Sequence, residues 1–263
     1  MRLTLAVTTH EWPAGLEAVL GTLARQSQSP DELIVADDGS GESTRAVVER
    51  FARRCDYPVH HVRQEHRGFR VARLRNLAIT RASGDYVVFV DGDMLLHPRF
   101  IEDHRSHALR GCFTQGVRIL LDAACTERML ARPGTIPSIT EPGLGRLRRL
   151  YALRSPTLRR LTRRLGNAVV ALKACNLGAW RDDLVAVNGF DEAFEGWGSE
   201  DKDLCARLRH AGIQRQTLLF GGIAYHLFHA PASREHRTLN EQRLAATLAE
   251  RRVRCARGLD QHG

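Results

Sequence analysis

Three short acidic clusters hold the residues best suited to chemistry. Asp91-Gly92-Asp93 follows the apolar run Tyr86-Val87-Val88-Phe89-Val90. Two carboxylates at this spacing can grip one divalent cation between the protein and a diphosphate. The glycine between them would let a phosphate approach the backbone. The same three residues are also ordinary strand-ending turn chemistry, so alone they leave both readings open. Asp37-Asp38-Gly39-Ser40 follows Leu33-Ile34-Val35-Ala36. A carboxylate there can accept a hydrogen bond from a ribose hydroxyl or a base N–H, or form an Asx-turn that caps the next helix.

The third cluster, Glu200-Asp201, comes after Glu195-Gly196-Trp197-Gly198-Ser199. It reads as a general base beside an indole platform on a glycine-hinged loop. It also reads as the first turn of a helix, with Ser199 as N-cap and the acids favouring the macrodipole. His226 and His229 could supply the neutral ligands that an Asp-x-Asp pair lacks. Arg75, in Arg75-Asn76, adds a cation near the expected phosphate region. Cys55, Cys112, Cys125, Cys175, Cys205 and Cys255 include no Cys-x-x-Cys pair, so reduced, mostly buried thiols are expected rather than a zinc site or a disulfide framework.

The elements that must position these groups alternate between strand and helix patterns. Strands are expected at Leu3–Thr8, 33–36, Val59–Val62 and 86–90. Helices are expected around Leu16 to Leu23, Thr44 to Arg53, Val71 to Arg81 and Glu200 to Ala211, the last stopping at Gly212. Such alternation predicts an α/β fold with a mainly parallel sheet, whose ligands bind outside the carboxyl ends of the strands. Both Asp37-Asp38 and Asp91-Gly92-Asp93 lie at such ends. Residues 122–166 read as a helical, Arg-rich insertion in which Ser155 caps a helix that begins at Pro156. Strands near Thr217–Phe220 and Ile223–His226 come next, and residues 234–263 read as a closing helix.

The 263 residues suffice for one large domain. The net charge of +9 is concentrated, because no acid occurs between Pro142 and Arg181 while Arg146, Arg148, Arg149, Arg154, Arg159, Arg160, Arg163, Arg164 and Lys173 do. A patch of this kind suits an anionic partner. Leu147, Leu150, Leu158, Leu161 and Leu165 add an apolar face, which points to an anionic membrane surface. The N-terminal apolar run is too short for a signal peptide, and no stretch is long enough to span a bilayer. The expectation is a cytoplasmic protein, peripheral at the inner face of the membrane.

In their order and spacing these motifs resemble glycosyltransferase family 2 and related GT-A enzymes. The matching stretches are Val7-Thr8-Thr9, Glu32 through Ser40, Arg75-Asn76, and Ala82 through Asp93. The run from Gly189-Phe190-Asp191-Glu192 to Trp197-Gly198-Ser199-Glu200-Asp201 is similar to a C-terminal motif of galactosyltransferases and chondroitin-polymerase-type enzymes. The resemblance implies a GT-A domain over residues 1–233, with a Rossmann-like nucleotide-binding sheet and residues 170–230 forming the acceptor side. It implies that Thr8, Asp37, Asp38, Arg75 and Asp91 line the nucleotide pocket, Asp37 on the base. Asp93, Asp91 and His226 or His229 would hold Mn²⁺ or Mg²⁺. Asp201, beside Glu200, would be the catalytic base, and Trp197-Gly198 would cover the sugars. The implied reaction is inverting transfer of a hexose or N-acetylhexosamine from a nucleotide-sugar donor, UDP-linked first, to a glycan or glycolipid acceptor such as lipopolysaccharide core or capsule. Those relatives carry Gly where Ser199 stands and an acid where Lys202 stands. A basic nucleic-acid-binding module would explain the arginines but not the acidic clusters, so no nucleic-acid partner is expected. A sugar-nucleotide-processing enzyme of similar fold would want a Gly-rich loop after the first strand, and Thr8-Thr9-His10-Glu11-Trp12-Pro13 offers none.

Overall fold

A computed structural model of the chain describes residues 1–144, 146–162, 165–166, 173–230 and 235–262. Arg163 and Arg164, and the side chains of Arg146, Leu147, Arg148 and Leu165, lie outside the described parts. The first half runs β1 (Leu3–Thr9), α1 (Pro13–Leu23), β2 (Glu32–Asp37), α2 (Glu42–Ala52), β3 (Val59–Arg63), α3 (Val71–Arg81) and β4 (Tyr86–Asp91). Next come β5 (Met94–Leu96), α4 (Phe100–His107), β6 (Cys112–Gly116), β7 (Arg118–Leu120), α5 (Ala123–Leu130), a 3₁₀ turn at Arg146–Ala152, α6 (Pro156–Leu161) and β8 (Leu165–Gly166). The chain continues with β9 (Asn176–Trp180), α7 (Arg181–Ala186), α8 (Glu200–His210), β10 (Gln214–Leu218), β11 (Ala224–His226), α9 (Arg237–Ala249) and a 3₁₀ turn at Leu259–Gln261.

The main sheet has eight strands in the order β3-β2-β1-β4-β9-β6-β10-β8. Strands β3, β2, β1 and β4 are parallel, as the alternation requires, and β6 and β10 are parallel to each other. Strand β9 is antiparallel to both β4 and β6, and β8 to β10. Both faces are covered, which explains the continuous apolar runs. In β4, Tyr86, Val88 and Val90 join a core with Leu5, Leu16 and Leu20, while Val87 and Phe89 join a second core with Ile79, Phe190 and Leu208. A second sheet, β5-β11-β7, pairs His226 with Met94 and thereby brings β11 beside Asp93. The described cysteines are free, five of them buried and Cys55 half-buried.

Three local expectations change. The 122–166 segment is less helical than its sequence suggests: it holds two short helices and a 3₁₀ turn, with Leu121 bridged to Leu144. Ser155 caps α6 as expected, its Oγ accepting from Leu158 N–H. The segment is fastened by charge rather than by an apolar face. Asp103, buried on α4, accepts from Arg154 (2.8 and 3.0 Å) and Arg159, and also from Gly222 N–H. Leu150 and Leu161 point outward, 71% and 75% exposed, with Leu153 and Leu158 exposed beside them. The closing helix ends at Ala249, not at the end of the described chain. Arg251 adopts φ of +50° and Arg252 N–H reaches back to Thr247 O, a helix-stopping loop. The tail beyond it packs Cys255 against Asn188 O and His262 against Glu192. Ser199 stands at the N-cap of α8 but in the left-handed region, φ +71°, and makes no capping hydrogen bond.

Candidate active site

The carboxyl ends of β1, β2 and β4 place Thr8, Asp37-Asp38 and Asp91 along one edge of the sheet. The Asp91 Oδ1 atom accepts from Thr8 Oγ1 at 2.9 Å and from Arg75 Nη2 at 3.0 Å. The other side of the Arg75 fork, Nη1, binds Glu200 Oε1 at 3.1 Å, and the guanidinium lies 5.3 Å from the Phe190 ring centroid. At 4% exposure, Arg75 is therefore a buried bridge between two carboxylates rather than an exposed cation awaiting a phosphate. Its neighbour Asn76 binds Phe190 through both backbone groups and Glu192 through the carboxylate, each at 2.8 Å. Helix α3 so joins the first motif to the last.

Gly92 is required by packing: a Cβ there would meet the Thr8 carbonyl oxygen at 2.9 Å. The turn it allows carries Asp93 to the second sheet. Asp93 Oδ2 lies 3.3 Å from His226 Nε2 and 3.0 Å from His229 Nε2. Asp93 Oδ1 is buried with no partner among the described residues. A buried carboxylate oxygen left unpaired is costly, and a cation between Asp93 and the two imidazoles would satisfy it. Burial pushes His226 down and so favours the neutral form a metal needs, while its hydrogen bond to Asp93 raises His229. Both histidines belong to the group, whereas Asp91 is turned toward Arg75.

His10, Asp38 and His66 also converge, and here both carboxylate oxygens of Asp38 already have partners. His66 Nδ1 lies 2.9 Å and Gln64 Nε2 2.7 Å from the Asp38 carboxylate, and His10 Nδ1 lies 2.7 Å from the Asp38 carbonyl oxygen. The two imidazoles stack at 4.2 Å. Asp37 lies fully buried behind them. Against the cost of burial, hydrogen bonds from His61 and from Ser40 hold its carboxyl below the ordinary value. Asp37 thus lies inside the turn, while the Asp38 carboxylate faces His66 and Gln64. His10 and His66 gave no motif in the sequence; the pairing of β1 with β2 and of β2 with β3 brings them together.

The start of α8 lines a cavity of about 310 Å³ shared with Phe69, Trp197, Arg118 and Lys173. Asp201 keeps some surface on it, while protein atoms enclose most of its carboxyl group. Its Oδ1 accepts from Lys202 N–H at 2.7 Å and its Oδ2 from Ala174 N–H at 3.3 Å. Burial first, and then repulsion by Glu200, push Asp201 up to about 7. Gly196 and Gly198, at φ of +71° and +115°, flank Trp197, which is 37% exposed at the mouth. Glycine serves here because these angles strain other residues.

A mostly parallel sheet flanked by helices, with acidic strand ends beside an Asp-His-His group, is the architecture of a GT-A-type glycosyltransferase fold. The chain belongs to glycosyl transferase family 2, whose pattern matches residues 4–159; residues 168–230 match the family described as N-terminal domain of galactosyltransferase. It is 32% identical over 233 residues to a validoxylamine A glucosyltransferase of Streptomyces hygroscopicus subsp. limoneus, covering 80% of this chain and 48% of that one. It is 28% identical over 265 residues to a chondroitin synthase of Pasteurella multocida (strain Pm70), covering 94% and 26%. The chain thus spans about half or less of these relatives. Its fold is shared with the mannosyltransferase PcManGT of Pyrobaculum calidifontis in complex with GDP-Man and Mn²⁺: TM-score 0.62, 18% identity, 95% of this chain and 64% of that one.

Proposed function

We propose that this chain transfers a hexose or N-acetylhexosamine from a nucleotide-diphosphate sugar, UDP-linked first, to a hydroxyl of a glycan acceptor, with inversion at the anomeric carbon. The observation that carries this reading is Asp201, a carboxyl raised to about 7 on the wall of the cavity. A carboxyl with this value is partly ionised at neutral pH, and its ionised form is basic enough to take a proton from a hydroxyl. As the acceptor oxygen attacks the sugar carbon, Asp201 removes its proton, while Arg75 keeps Glu200 and Asp91 in register and Trp197 covers the sugar face. Thr8 and Asp38, with the stacked His10 and His66, serve the nucleoside, and Asp37 braces their turn. Mn²⁺ or Mg²⁺ would be held by Asp93, His226 and His229, and when bound it neutralises charge on the diphosphate. The complex of PcManGT with GDP-Man and Mn²⁺ supports a nucleotide-sugar and a metal in this fold.

The acceptor we assign is a cell-surface glycan, lipopolysaccharide core or capsule, reached from the inner membrane face. The exposed Leu150, Leu153, Leu158 and Leu161 on an acid-free, Arg-rich segment support contact with an anionic bilayer. Among the described residues, no helix is long and apolar enough to cross a membrane. Arg154 and Arg159 are bound to Asp103, which removes two cations from any nucleic-acid reading.

Calorimetric titration with UDP, dTDP and GDP, with and without Mn²⁺, tests the reading. Metal-dependent binding of one nucleotide, lost in Asp93→Ala and at least tenfold weaker in His226→Ala, is expected. Binding of none of them by the folded protein would end it.

A further inference from the structure

Of the 39 basic residues, only Lys173 and Lys202 are lysine. Both line the cavity beside Asp201. Lys202 follows Asp201 directly, and Lys173 precedes Ala174, whose N–H binds the far carboxylate oxygen. Neither ammonium forms a hydrogen bond or ion pair with a described residue, and Arg118 lines the same wall.

A chain that uses arginine everywhere else has a physical reason to use lysine here. A guanidinium is a rigid fork that captures carboxylates two at a time, as Arg75 captures Asp91 and Glu200. Placed against Asp201, such a fork would hold it ionised and paired, and unfit to take a proton. An ammonium is a compact point charge on a flexible stem, able to reach past the base toward a ligand. The carboxylates of the cavity leave little else for it: Glu200 and Asp91 are held by Arg75, and Glu241 by Arg237 at 2.7 Å. The Asp93-His226-His229 group, which suits the donor diphosphate, is not part of this lining. Two unmatched ammonium groups on the base side of the cavity call for an anion on the acceptor.

We propose that Lys173 and Lys202 form a subsite for a negatively charged group, a carboxylate or a phosphate, carried by the sugar acceptor beside the hydroxyl that Asp201 deprotonates. The proposal rests on the transferase reading and narrows its acceptor to an acidic or phosphorylated sugar. Saturation-transfer NMR titrations of the full chain, saturated with Mn²⁺ and the best-binding of UDP, dTDP and GDP, would use two matched pairs of probes. Methyl β-D-glucuronide is set against methyl β-D-glucoside, and glucose 6-phosphate against glucose. The expected result is at least tenfold tighter binding of the anionic member in one pair, which also tells carboxylate from phosphate. That preference disappears in K173Q/K202Q, while nucleotide affinity and melting temperature stay within about twofold and about 2 °C, as expected for two half-buried side chains that hold no other part of the fold. Equal binding of the neutral members, no binding of either anionic probe, or a preference retained in K173Q/K202Q overturns the subsite. A tenfold loss of nucleotide affinity in K173Q/K202Q overturns it too, by assigning the lysines to the donor. Failure of the wild-type chain to bind any nucleotide is a separate result, which strikes the transferase reading itself.

Discussion

At the scale of single residues, the division of labour between Glu200 and Asp201 decides the chemistry. Adjacent in sequence, they meet opposite surroundings: Arg75 takes up Glu200, while the Asp201 carboxylate accepts from backbone N–H groups and is raised by burial and by Glu200 beside it. Asp201→Asn is expected to lower kcat by roughly 10²–10⁴, the usual worth of a general base, without loss of fold. Because the base acts when ionised, wild-type kcat/KM should rise with pH through about 7 and then level off. The stability effect has the opposite sign. A carboxyl raised in the folded state favours folding when protonated, and that contribution fades as pH climbs through about 7. Urea midpoints should therefore show Asp201→Asn gaining on wild type at pH 8 relative to pH 5. Arg75→Met strands two carboxylates in a buried setting, and a loss of about 3–5 kcal/mol in denaturant-derived stability is expected. Arg75→Lys should recover little of it, since one ammonium does not reproduce a fork spanning Asp91 and Glu200.

Elements matter through the way they are fastened. Helix α3 spans the two halves of the site with Arg75 and Asn76, so the Gly189–Glu192 loop and the β4 end move as one unit. The basic segment is fastened differently, by Arg154 and Arg159 on the buried Asp103. Asp103→Asn removes the charge partner of Arg159, leaves Arg154 with Glu102 alone, and also weakens the bond to Gly222 N–H. The expected outcome is rapid tryptic cleavage within residues 146–160, at arginines that resist the protease in the wild type, together with a stability loss of about 3 kcal/mol. Cleavage at the wild-type rate would show that the segment is held by other means.

For the molecule as a whole, charge and apolar surface coincide on one segment. Leu150 and Leu161 protrude from a stretch that carries no acid. Vesicles of phosphatidylcholine with phosphatidylglycerol should co-sediment the protein, and retention should fall as salt rises past the range where surface charges are screened. Leu150→Ser/Leu161→Ser is expected to reduce retention severalfold, on the scale of about 0.8 kcal/mol per CH₂ withdrawn from the interface. Retention that depends on neither salt nor the leucines would separate the segment from the membrane.

Much of the fold was legible because local patterns and tertiary structure agree. The apolar run 86–90 and the helical spacing over Val71–Arg81 are satisfied by a sheet buried on both faces, and acids can only emerge where those strands end. Asp93, His226 and His229, which the family motifs single out, converge in the structure, and Asp201 lines the cavity at the start of α8. The short strands β5, β7 and β9 were obscure and β10 was shifted, since pairing rather than propensity defines them, whereas β11 lies within the expected Ile223–His226. The placing of α6 and of the loop before it likewise depends on ion pairs of Arg154 and Arg159 with a residue some fifty positions away. Sequence by itself determined the class of fold and which residue types stand at the strand ends. Only the tertiary structure decided their charges and partners: Arg75 between Asp91 and Glu200, Asp37 behind Asp38, both histidines on Asp93, and the two lysines around Asp201. Side-chain type is written locally, but ionisation and pairing depend on what lies within a few ångströms, and that is set by contacts between segments far apart in the chain.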